Sequence, residues 1–330
     1  MRKKSVEFFM MLTNRSVLMA KYTIGSYKSV YNLLNDKYDL KLTCYLNAVN
    51  KQKWGRQLID IQKDMSQCSG FLWFVDGKYS REEFVWEGSY YQVEGSSKHY
   101  KLPMVTPAEG QDEYFQKCMA DYFVTVDDDF EILDPQFVRV LLEYMDVNDS
   151  PCISTDKTIV VRRSYDPYSN AYTEGQPRNC TWFCVYRVAE RIPISMCVVD
   201  SFTSTKGDVI TWKGSDSEIT WDEYERVFRN EDGVRKTWDN GGWLQEKMRK
   251  GKPLVSLGDL GDYSKQYIHY AAFASNSFIN TAFKTAVYRF LRQRVLLADS
   301  RIVKKVYNKA RKMLFPDRER RVSNQKSSMD

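Results

Sequence analysis

The chain has 330 residues, of which 43% are hydrophobic, 14% aromatic and 28% charged, with 16 glycines and 9 prolines; this composition excludes collagen-like, low-complexity and wholly disordered proteins. A chain of this length can bury a large core without a disulfide or a metal, as two domains or as one large α/β domain with an appendage. The net charge of +6 is uneven, because residues 281–330 hold 14 Lys and Arg against 4 Asp and Glu, whereas residues 1–280 hold 35 against 39. The basic character therefore belongs to the C-terminal tail.

The sequence predicts neither a secretion signal nor a membrane span. The longest apolar run near the start, residues 8–12, is far shorter than the ~20 residues that cross a bilayer, and Glu7 interrupts what would be a signal core. Seven cysteines without a CxxC pair are typical of reduced, buried thiols in a cytosol. The two histidines, His99 and His269, lie near no cysteine pair, so a zinc site is not expected.

The first third of the chain predicts a β-α-β opening. The apolar run at 17–20 predicts a first strand, Gly25 and Ser26 favour a turn before a helix, and residues 40–46 have the pattern of a second strand. A helix over 57–65 and a buried strand over 70–75 follow. Residues 77–107 are polar, aromatic and irregular, which predicts a loop or hairpin.

The same alternation continues along the chain. We expect helices over 111–120, from Pro135 onward and over 243–249, and strands over 122–126, 158–162, 180–187 and 253–257. Strands that alternate with helices predict an α/β fold with a doubly wound, mainly parallel sheet. The predicted organisation is an α/β domain over 1–280, with one half at about 16–150 and a second at 151–280, then basic helices over 281–315 and a disordered tail over 316–330.

Three aspartates, Asp127, Asp128 and Asp129, follow the apolar strand 122–126 directly. Like charges at the carboxyl end of a buried strand raise one another's pKa unless a cation neutralises them, and ligands bind at this edge of open α/β sheets. Strand alternation places Asp127 and Asp129 on the same side, and oxygen ligands suit Mg²⁺ or Mn²⁺. The pattern predicts a metal that bridges two phosphates; the alternative is an acidic loop that caps the helix near Pro135.

With this signature the chain resembles the GT-A glycosyltransferases, especially bacterial family 2 enzymes, in which a strand ends in a DxD-type motif. The resemblance covers roughly residues 16–275, and the three aspartates are its most specific part. It implies that residues 1–280 are a catalytic domain, with a nucleotide half at about 16–150 and an acceptor half at 151–280. It implies a GT-A-like fold in which Asp127 and Asp129 bind the metal and the diphosphate of a nucleotide sugar, while Asp128 contacts the ribose or the sugar. It also implies a nucleotide contact for Asn47 and Asp76, which end the second and third predicted strands.

A second motif, TWDNGGWL at 237–244, looks like the family's arrangement of an acidic pair, a helix, a glycine and a strand. The familiar pair is Glu-Asp, and here Trp238 stands where the first acid is expected. An inverting transfer needs a carboxylate that deprotonates the acceptor hydroxyl, and Asp239 is the candidate base. A helix N-cap is the alternative role, and a retaining enzyme would not use this base. Four other acids are weaker candidates: Asp216, Asp222, Glu223 and Asp232.

His269 comes thirty residues after Asp239, within the sequence YIHY. The resemblance implies that it is a further metal ligand, because many GT-A enzymes supply a late histidine, and neutral imidazole suits Mn²⁺. A hydrogen-bonded structural histidine is the alternative. Four tryptophans of the acceptor half either pack on sugar rings or belong to the core: Trp212, Trp221, Trp238 and Trp243.

The C-terminal segment predicts basic amphipathic helices. Apolar and basic residues follow helical spacing over 302–314, and residues 283–297 mix them in a similar way. Such helices can lie on an anionic membrane through residues 283–314, since each Lys or Arg near the surface contributes about 1 kcal/mol. The alternative, which does not exclude the first, is a helix docked on the catalytic domain with a solvated outer face.

Together these features predict a bacterial glycosyltransferase, dependent on Mn²⁺ or Mg²⁺, that is attached peripherally to the inner face of the cell membrane. It would move a sugar from a nucleotide-diphosphate donor to a glycan or lipid-linked acceptor in surface polysaccharide biosynthesis, with inversion. The alternatives are a sugar nucleotidyltransferase or a non-catalytic membrane- or RNA-binding adaptor. No GxGxxG, GxxxxGK[ST] or GxSxG motif occurs, and nucleic-acid binding is not expected.

Overall fold

The structure is a computed structural model that describes residues 2–14, 16–47, 49–77, 90–94, 99–101, 107–159, 162–166, 171–194, 196, 201–203, 209–212, 235–238, 241–270 and 281–297. Within these ranges the α-helices are α1 (Val17–Leu34), α2 (Lys51–Asp64), α3 (Pro107–Lys117), α4 (Gln136–Val147), α5 (Gly242–Arg249) and α6 (Ala282–Leu297). None of these helices is long and apolar enough to cross a membrane.

The strands are numbered in chain order within the same ranges. They are β1 (Lys4–Leu12), β2 (Tyr38–Leu46), β3 (Leu72–Asp76), β4 (Tyr90–Glu94), β5 (His99–Lys101), β6 (Tyr122–Val126), β7 (Phe130–Ile132), β8 (Cys152–Ser154), β9 (Lys157–Thr158), β10 (Arg162–Asp166), β11 (Ala171–Gly175), β12 (Arg178–Asn179), β13 (Phe183–Arg187), β14 (Ser201–Thr203), β15 (Val209–Trp212), β16 (Arg235–Thr237) and β17 (Tyr267–His269).

A six-stranded sheet in the order β3-β2-β1-β6-β13-β8 organises the molecule. The first four strands are parallel, and β13 runs antiparallel between β6 and β8. Parallel strands end at the same edge, so the segments that follow β1, β2, β3 and β6 meet at one side of the sheet. The predicted mainly parallel α/β fold is confirmed.

Helices cover both faces of this sheet, as a doubly wound fold requires. Side chains of β1 alternate between the faces: Phe8 and Met10 pack in the core that includes residues of α1, α2 and α4, whereas Phe9 and Met11 pack with residues of α3 and α5. Burial on both faces makes β1 almost continuously apolar. This is why its sequence lacks the alternation that marks a strand with one solvated face.

The first predicted strand is wrong. Residues 17–20 begin α1, which continues through the predicted turn at Gly25 and Ser26, and the first strand is instead β1. The apolar run at 17–20 is buried because Val17 and Ala20 pack in the core with the main sheet, while Leu18 and Met19 pack in a second buried cluster. The nucleotide half drawn from residue 16 therefore omits the central strand, which pairs with both β2 and β6.

Other strand predictions differ in detail. The strand expected to be buried over 70–75 is β3, an edge strand of the sheet that is half-exposed. The expected strand over 253–257 is wrong, because Ser256 forms one isolated bridge with Ser154 and then caps a short turn together with Asp259. Between 77 and 107, β4 and β5 form a hairpin. The six cysteines of the described part are buried and form no disulfide, as expected, and Cys197 lies outside it.

Smaller sheets complete the fold. Strands β10, β11 and β16 form one sheet, β4, β5, β14 and β15 form another, and β9 pairs with β12. A two-stranded antiparallel ribbon of β7 and β17 lies just beyond the end of β6. Helix α6 packs beside α1, where Tyr288 joins a buried cluster with Leu18, Met19, Ile268 and Tyr270. Residues 298–330, which include the second predicted basic helix and the tail, lie outside the described residues.

Candidate functional site

The acidic triplet lies where β6 leaves the sheet. The backbone N–H of Asp127 donates to the carbonyl of Trp182 at 3.0 Å, and the N–H of Phe130 donates back to the carbonyl of Asp127 at 3.2 Å. These bonds close a tight turn between β6 and β7. Asp129 is 4% exposed, whereas Asp127 is half-buried. The turn therefore presents its outer two carboxylates at the carboxyl edge of the sheet.

The ribbon of β7 and β17 brings His269 to these carboxylates. Phe130 pairs with His269 across the ribbon, and the N–H of Tyr270 donates to the carbonyl of Asp129 at 3.0 Å. As a result, His269 Nε2 lies 3.2 Å from both Asp127 Oδ2 and Asp129 Oδ1. Two distant parts of the sequence, which were predicted to share a function, thus meet in one site.

The environment of this site shifts the pKa values of His269 and Asp128. Burial alone lowers the pKa of His269, but hydrogen bonds and attraction to Asp127 and Asp129 outweigh it and raise that pKa to about 9. Burial raises the pKa of Asp128 well above its usual value, and repulsion from Asp129 and Asp127 adds to the shift, while a hydrogen bond with Ser16 opposes it. The turn thus brings three carboxyl groups together, with His269 beside the outer two.

The donor set fits a divalent cation. One oxygen from each of Asp127 and Asp129 and the nitrogen of His269 all lie within 4.8 Å of one another. Two carboxylates and one imidazole are suitable ligands for Mn²⁺, and the oxygens also suit Mg²⁺. A cation at this point would face the loops that follow the parallel strands.

The predicted nucleotide-binding residues lie along the same edge. Asn47 directly follows β2 and is buried, and Asp76 ends β3, where it is exposed and forms an ion pair with Lys51 of α2. Leu12, Leu46 and Asp76 stand in register at the ends of their strands. The structure thus brings Asn47 and Asp76 to the edge that carries the aspartates, which is the placement that the strand pattern predicted.

The N-terminus of α1 also faces this edge. Ser16 precedes the helix, and its hydroxyl accepts from the N–H of Thr13 at 2.6 Å and bonds to Asp128. The positive end of the helix dipole favours anions at this point. The sequence prediction missed this contribution, because it assigned residues 17–20 to a strand.

The expected acceptor residues are only partly within the described structure. Trp238 and Trp243 are buried and pack against each other, with ring centroids 5.3 Å apart, which favours the packing role over an open sugar platform. Trp212 ends β15, and its side chain is not described. The remaining candidates lie outside the described residues: Trp221, Asp239, Asp216, Asp222, Glu223 and Asp232.

Two residues that the sequence did not single out support His269. The indole of Trp182 stacks on the His269 ring, with centroids 4.8 Å apart and planes at 25°. Asp156 accepts from Trp182 Nε1 at 3.1 Å and from Tyr267 Oη at 3.2 Å, which fixes the indole. No spacing or motif marks these residues, because strands from different parts of the chain bring them together.

Comparison with known proteins gives matches only among solved structures. No protein-family model and no curated protein matches the chain. Residues 1–349 of TarS from S. aureus match with a TM-score of 0.34 and 10% identity, over 56% of this chain and 48% of that one, so this chain spans about half the length of that structure.

Two further matches differ in kind. The mannosyltransferase PcManGT from Pyrobaculum calidifontis, in complex with GDP-Man and Mn²⁺, matches with a TM-score of 0.35 and 11% identity, over 100% of this chain and 81% of that one. The 4-diphosphocytidyl-2C-methyl-D-erythritol synthase from Anaerococcus prevotii matches with a TM-score of 0.30 and 10% identity, over 56% and 72%. Scores this low do not establish a shared activity, so the function must follow from the residues of the site.

Proposed function

We propose that the protein is a metal-dependent glycosyltransferase that uses a nucleoside-diphosphate sugar. The observation that carries the proposal is the convergence of Asp127, Asp129 and His269 at the carboxyl edge of a mainly parallel sheet. Ligands of open α/β sheets bind at this edge. A nucleoside diphosphate suits the site because it combines charged phosphates, which need a cation, with a base and a ribose that the loops after β2 and β3 can contact.

The roles of the residues follow from their chemistry. Asp127, Asp129 and His269 would hold the cation. A divalent cation bound there supplies charge neutralisation for the departing diphosphate. The N-terminus of α1 adds a positive partial charge on the same side. Asp128 accepts a hydrogen bond from Ser16 and would contact the ribose or the sugar, and Asn47 and Asp76 would contact the nucleoside.

Transfer to an acceptor needs a base. In an inverting reaction a carboxylate takes the proton of the acceptor hydroxyl as its oxygen attacks the anomeric carbon, and Asp239 is the proposed base. The Asp239→Asn variant should bind the donor normally and lose transfer. If this variant still transfers sugar at the normal rate, Asp239 is not the base. The anomeric configuration of the product, read by NMR, tests inversion separately.

The acceptor is proposed to be a glycan or lipid-linked sugar of a bacterial surface polysaccharide, used at the inner face of the cell membrane. Support comes from α6 and the charge that follows it. The outward side chains of α6 include Phe283, which is 78% exposed, and Phe290, which Arg294 covers at 5.2 Å from its ring centroid. Residues 281–330 carry 14 basic and 4 acidic residues. An apolar strip within a basic segment suits an anionic lipid surface.

Vesicle binding tests this attachment. The full chain should co-sediment with vesicles that contain an anionic phospholipid and remain free with vesicles of phosphatidylcholine alone. The Phe283→Ser/Phe290→Ser variant should bind the anionic vesicles several-fold more weakly. Met119→Ser is the matched control, because Met119 is an apolar side chain that is 87% exposed but lies between α3 and β6, not on α6. If all three proteins bind the anionic vesicles equally, α6 does not attach the protein to the membrane.

Donor turnover tests the main proposal against its alternatives. Purified protein is incubated with UDP-, GDP- and CDP-sugars, with and without Mn²⁺, and released nucleoside diphosphate is measured. A glycosyltransferase should release nucleoside diphosphate slowly when water is the acceptor and faster when a sugar acceptor is present. Both reactions should require the metal. A nucleotidyltransferase would instead make pyrophosphate from a nucleoside triphosphate and a sugar phosphate. An adaptor would do neither, and no metal-dependent release with any donor would contradict the proposal.

A further inference from the structure

Helix α6 packs against the ribbon of β7 and β17, which positions two of the three proposed metal ligands. Asp129 precedes β7 and His269 ends β17, so their relative position depends on how this ribbon is fixed. The ribbon has two short strands of three residues each. Two-stranded ribbons are marginally stable by themselves, and this one therefore needs external support.

Glu131, at the centre of β7, makes the polar contacts between this strand and α6. It is 3% exposed, and Arg289 of α6 grips it with two nitrogens, Nε at 2.8 Å from Oε2 and Nη2 on Oε1. Tyr270 Oη donates to Oε2 at 2.6 Å, and Gln293 Nε2 donates to Oε1 at 3.3 Å. A buried carboxylate with this many donors is held firmly, because any displacement leaves a buried charge unpaired.

The same face of α6 also contacts the second strand of the ribbon. Tyr288 Oη donates to the carbonyl of Tyr270 at 3.0 Å, and Arg292 Nη2 donates to the carbonyl of His269 at 3.3 Å. Arg289 in turn stacks on the ring of Tyr22 in α1, 4.4 Å from its centroid. The helix thus fixes both strands of the ribbon, and it is itself fixed to α1.

We propose that Glu131 and Arg289 are positioning residues for the metal site: their ion pair locks α6 onto the ribbon and so sets Asp129 and His269 at the spacing that a divalent cation needs. Neither residue touches the ligand atoms. They act through the backbone of the ribbon, so their removal should weaken metal binding by displacing Asp129 and His269. The inference rests on the proposed function only through the metal site.

The test is a double-mutant cycle on Mn²⁺ affinity of the full chain, measured from the electron paramagnetic resonance signal of free Mn²⁺. Glu131→Gln keeps the shape of the side chain, and Arg289→Met keeps much of its length. Each variant should bind Mn²⁺ several-fold more weakly than the wild type. The double variant should be no weaker than the worse single variant, because one substitution already breaks the pair. Arg289→Lys, which keeps the charge but loses the two-pronged grip, should fall between.

A matched control separates positioning from general destabilisation. Asp146 is also a poorly exposed carboxylate with several donors, from Lys4, Tyr38 and Tyr122, but it lies at the opposite edge of the sheet. Asp146→Asn should lower thermal stability and leave Mn²⁺ affinity unchanged. If Asp146→Asn weakens Mn²⁺ binding as much as Arg289→Met, or if neither Glu131→Gln nor Arg289→Met weakens it, the inference is wrong.

A second readout needs no metal. The chain has two histidines, so histidine-labelled protein gives two imidazole signals, and His99→Gln assigns them. The His269 signal carries the ring-current shift of the stacked Trp182. This shift should change in Arg289→Met and persist in Asp146→Asn. If the wild type fails to bind Mn²⁺, the metal site itself is wrong; if it binds and the Arg289→Met protein matches it in both readouts, only the positioning role fails.

Discussion

The two edges of the main sheet use aspartate in opposite ways. At the amino edge, Asp146 accepts from Lys4 Nζ at 2.7 Å, Tyr38 Oη at 2.5 Å and Tyr122 Oη at 2.9 Å. Burial opposes its charge, but these hydrogen bonds outweigh burial and lower its pKa. Asp121 at the same edge accepts from the N–H of Ser5 at 2.8 Å and from its hydroxyl at 2.9 Å.

The carboxyl edge shows the reverse arrangement. Three consecutive aspartates crowd one turn, where burial raises the pKa of Asp128 and repulsion from Asp129 and Asp127 adds to the shift. The cationic partner described for Asp127 and Asp129 is His269, whose own pKa they raise to about 9. Carboxylates at the amino edge are satisfied by the protein and stabilise it. Those at the carboxyl edge crowd one turn beside His269, an arrangement that a bound cation would stabilise.

The largest effect should come from removing the two outer carboxylates of the acidic turn. In the Asp127→Asn/Asp129→Asn variant, Mn²⁺ binding should be lost and sugar transfer should fall by about a thousandfold or more, because several kcal/mol of charge stabilisation disappears. Thermal stability should stay the same or rise slightly, since like charges no longer repel. Calorimetric Mn²⁺ titration and thermal unfolding measure both. A variant that unfolds at a much lower temperature would assign these carboxylates to stability.

The mirror experiment is Asp146→Asn at the amino edge. Its charge-assisted hydrogen bonds should weaken, and the free energy of unfolding should fall by about 2 kcal/mol. Donor turnover and Mn²⁺ affinity should stay at the wild-type level. Urea unfolding measures the first quantity and the assays above measure the second. If Asp146→Asn instead lowers activity and leaves stability unchanged, the proposed difference between the two edges of the sheet is wrong.

Acid titration should sharpen the same contrast. The pKa of Asp146 is lower in the folded protein than in the unfolded chain, where it is about 3.9. Its ionised form therefore stabilises the fold fully above pH ~5, and this contribution is lost as the pH falls through the folded pKa. The stability difference between wild type and Asp146→Asn should be constant from about pH 7 to 5 and shrink below about pH 4. A difference that grows on acidification would contradict the assigned partners.

The smallest expected effect concerns one donor at the amino edge. Tyr38→Phe removes the hydroxyl that donates to Asp146, and should cost about 1 kcal/mol of unfolding free energy. The same substitution in the Asp146→Asn background should cost less, because the charged acceptor is already gone. Additive effects, measured by urea unfolding of the four proteins, would show that the two residues do not interact.

The sequence predicted local features well. The strand over 122–126 and the helix that follows Pro135 are confirmed, because a continuous apolar run and a helical repeat of Phe137, Val138, Leu141, Leu142 and Met145 reflect burial by nearby elements. The meeting of the acidic turn with His269 agrees with the prediction from resemblance. The roles of Asn47, Asp76 and Asp239 stay predictions.

The wrong strand and the residues that the sequence prediction missed both depend on contacts between distant elements, which a local sequence pattern does not show. Strand β1 and the start of α1 are both apolar because both are buried, so hydrophobicity alone did not tell which was the strand. The supports of His269 and the ribbon, such as Trp182 and the pair of Glu131 with Arg289, join residues far apart in the chain. For residues 282–297 the structure shows docking on the domain, which was the alternative to membrane contact, while leaving an outer face exposed.

The most direct test of the central claim is an anomalous diffraction map of crystals of the full chain soaked with Mn²⁺ and a nucleoside diphosphate. We expect a manganese peak between Asp127, Asp129 and His269, with the phosphates on its open side. A map in which these side chains bind only protein groups while manganese and nucleotide lie elsewhere, or do not bind, would contradict it.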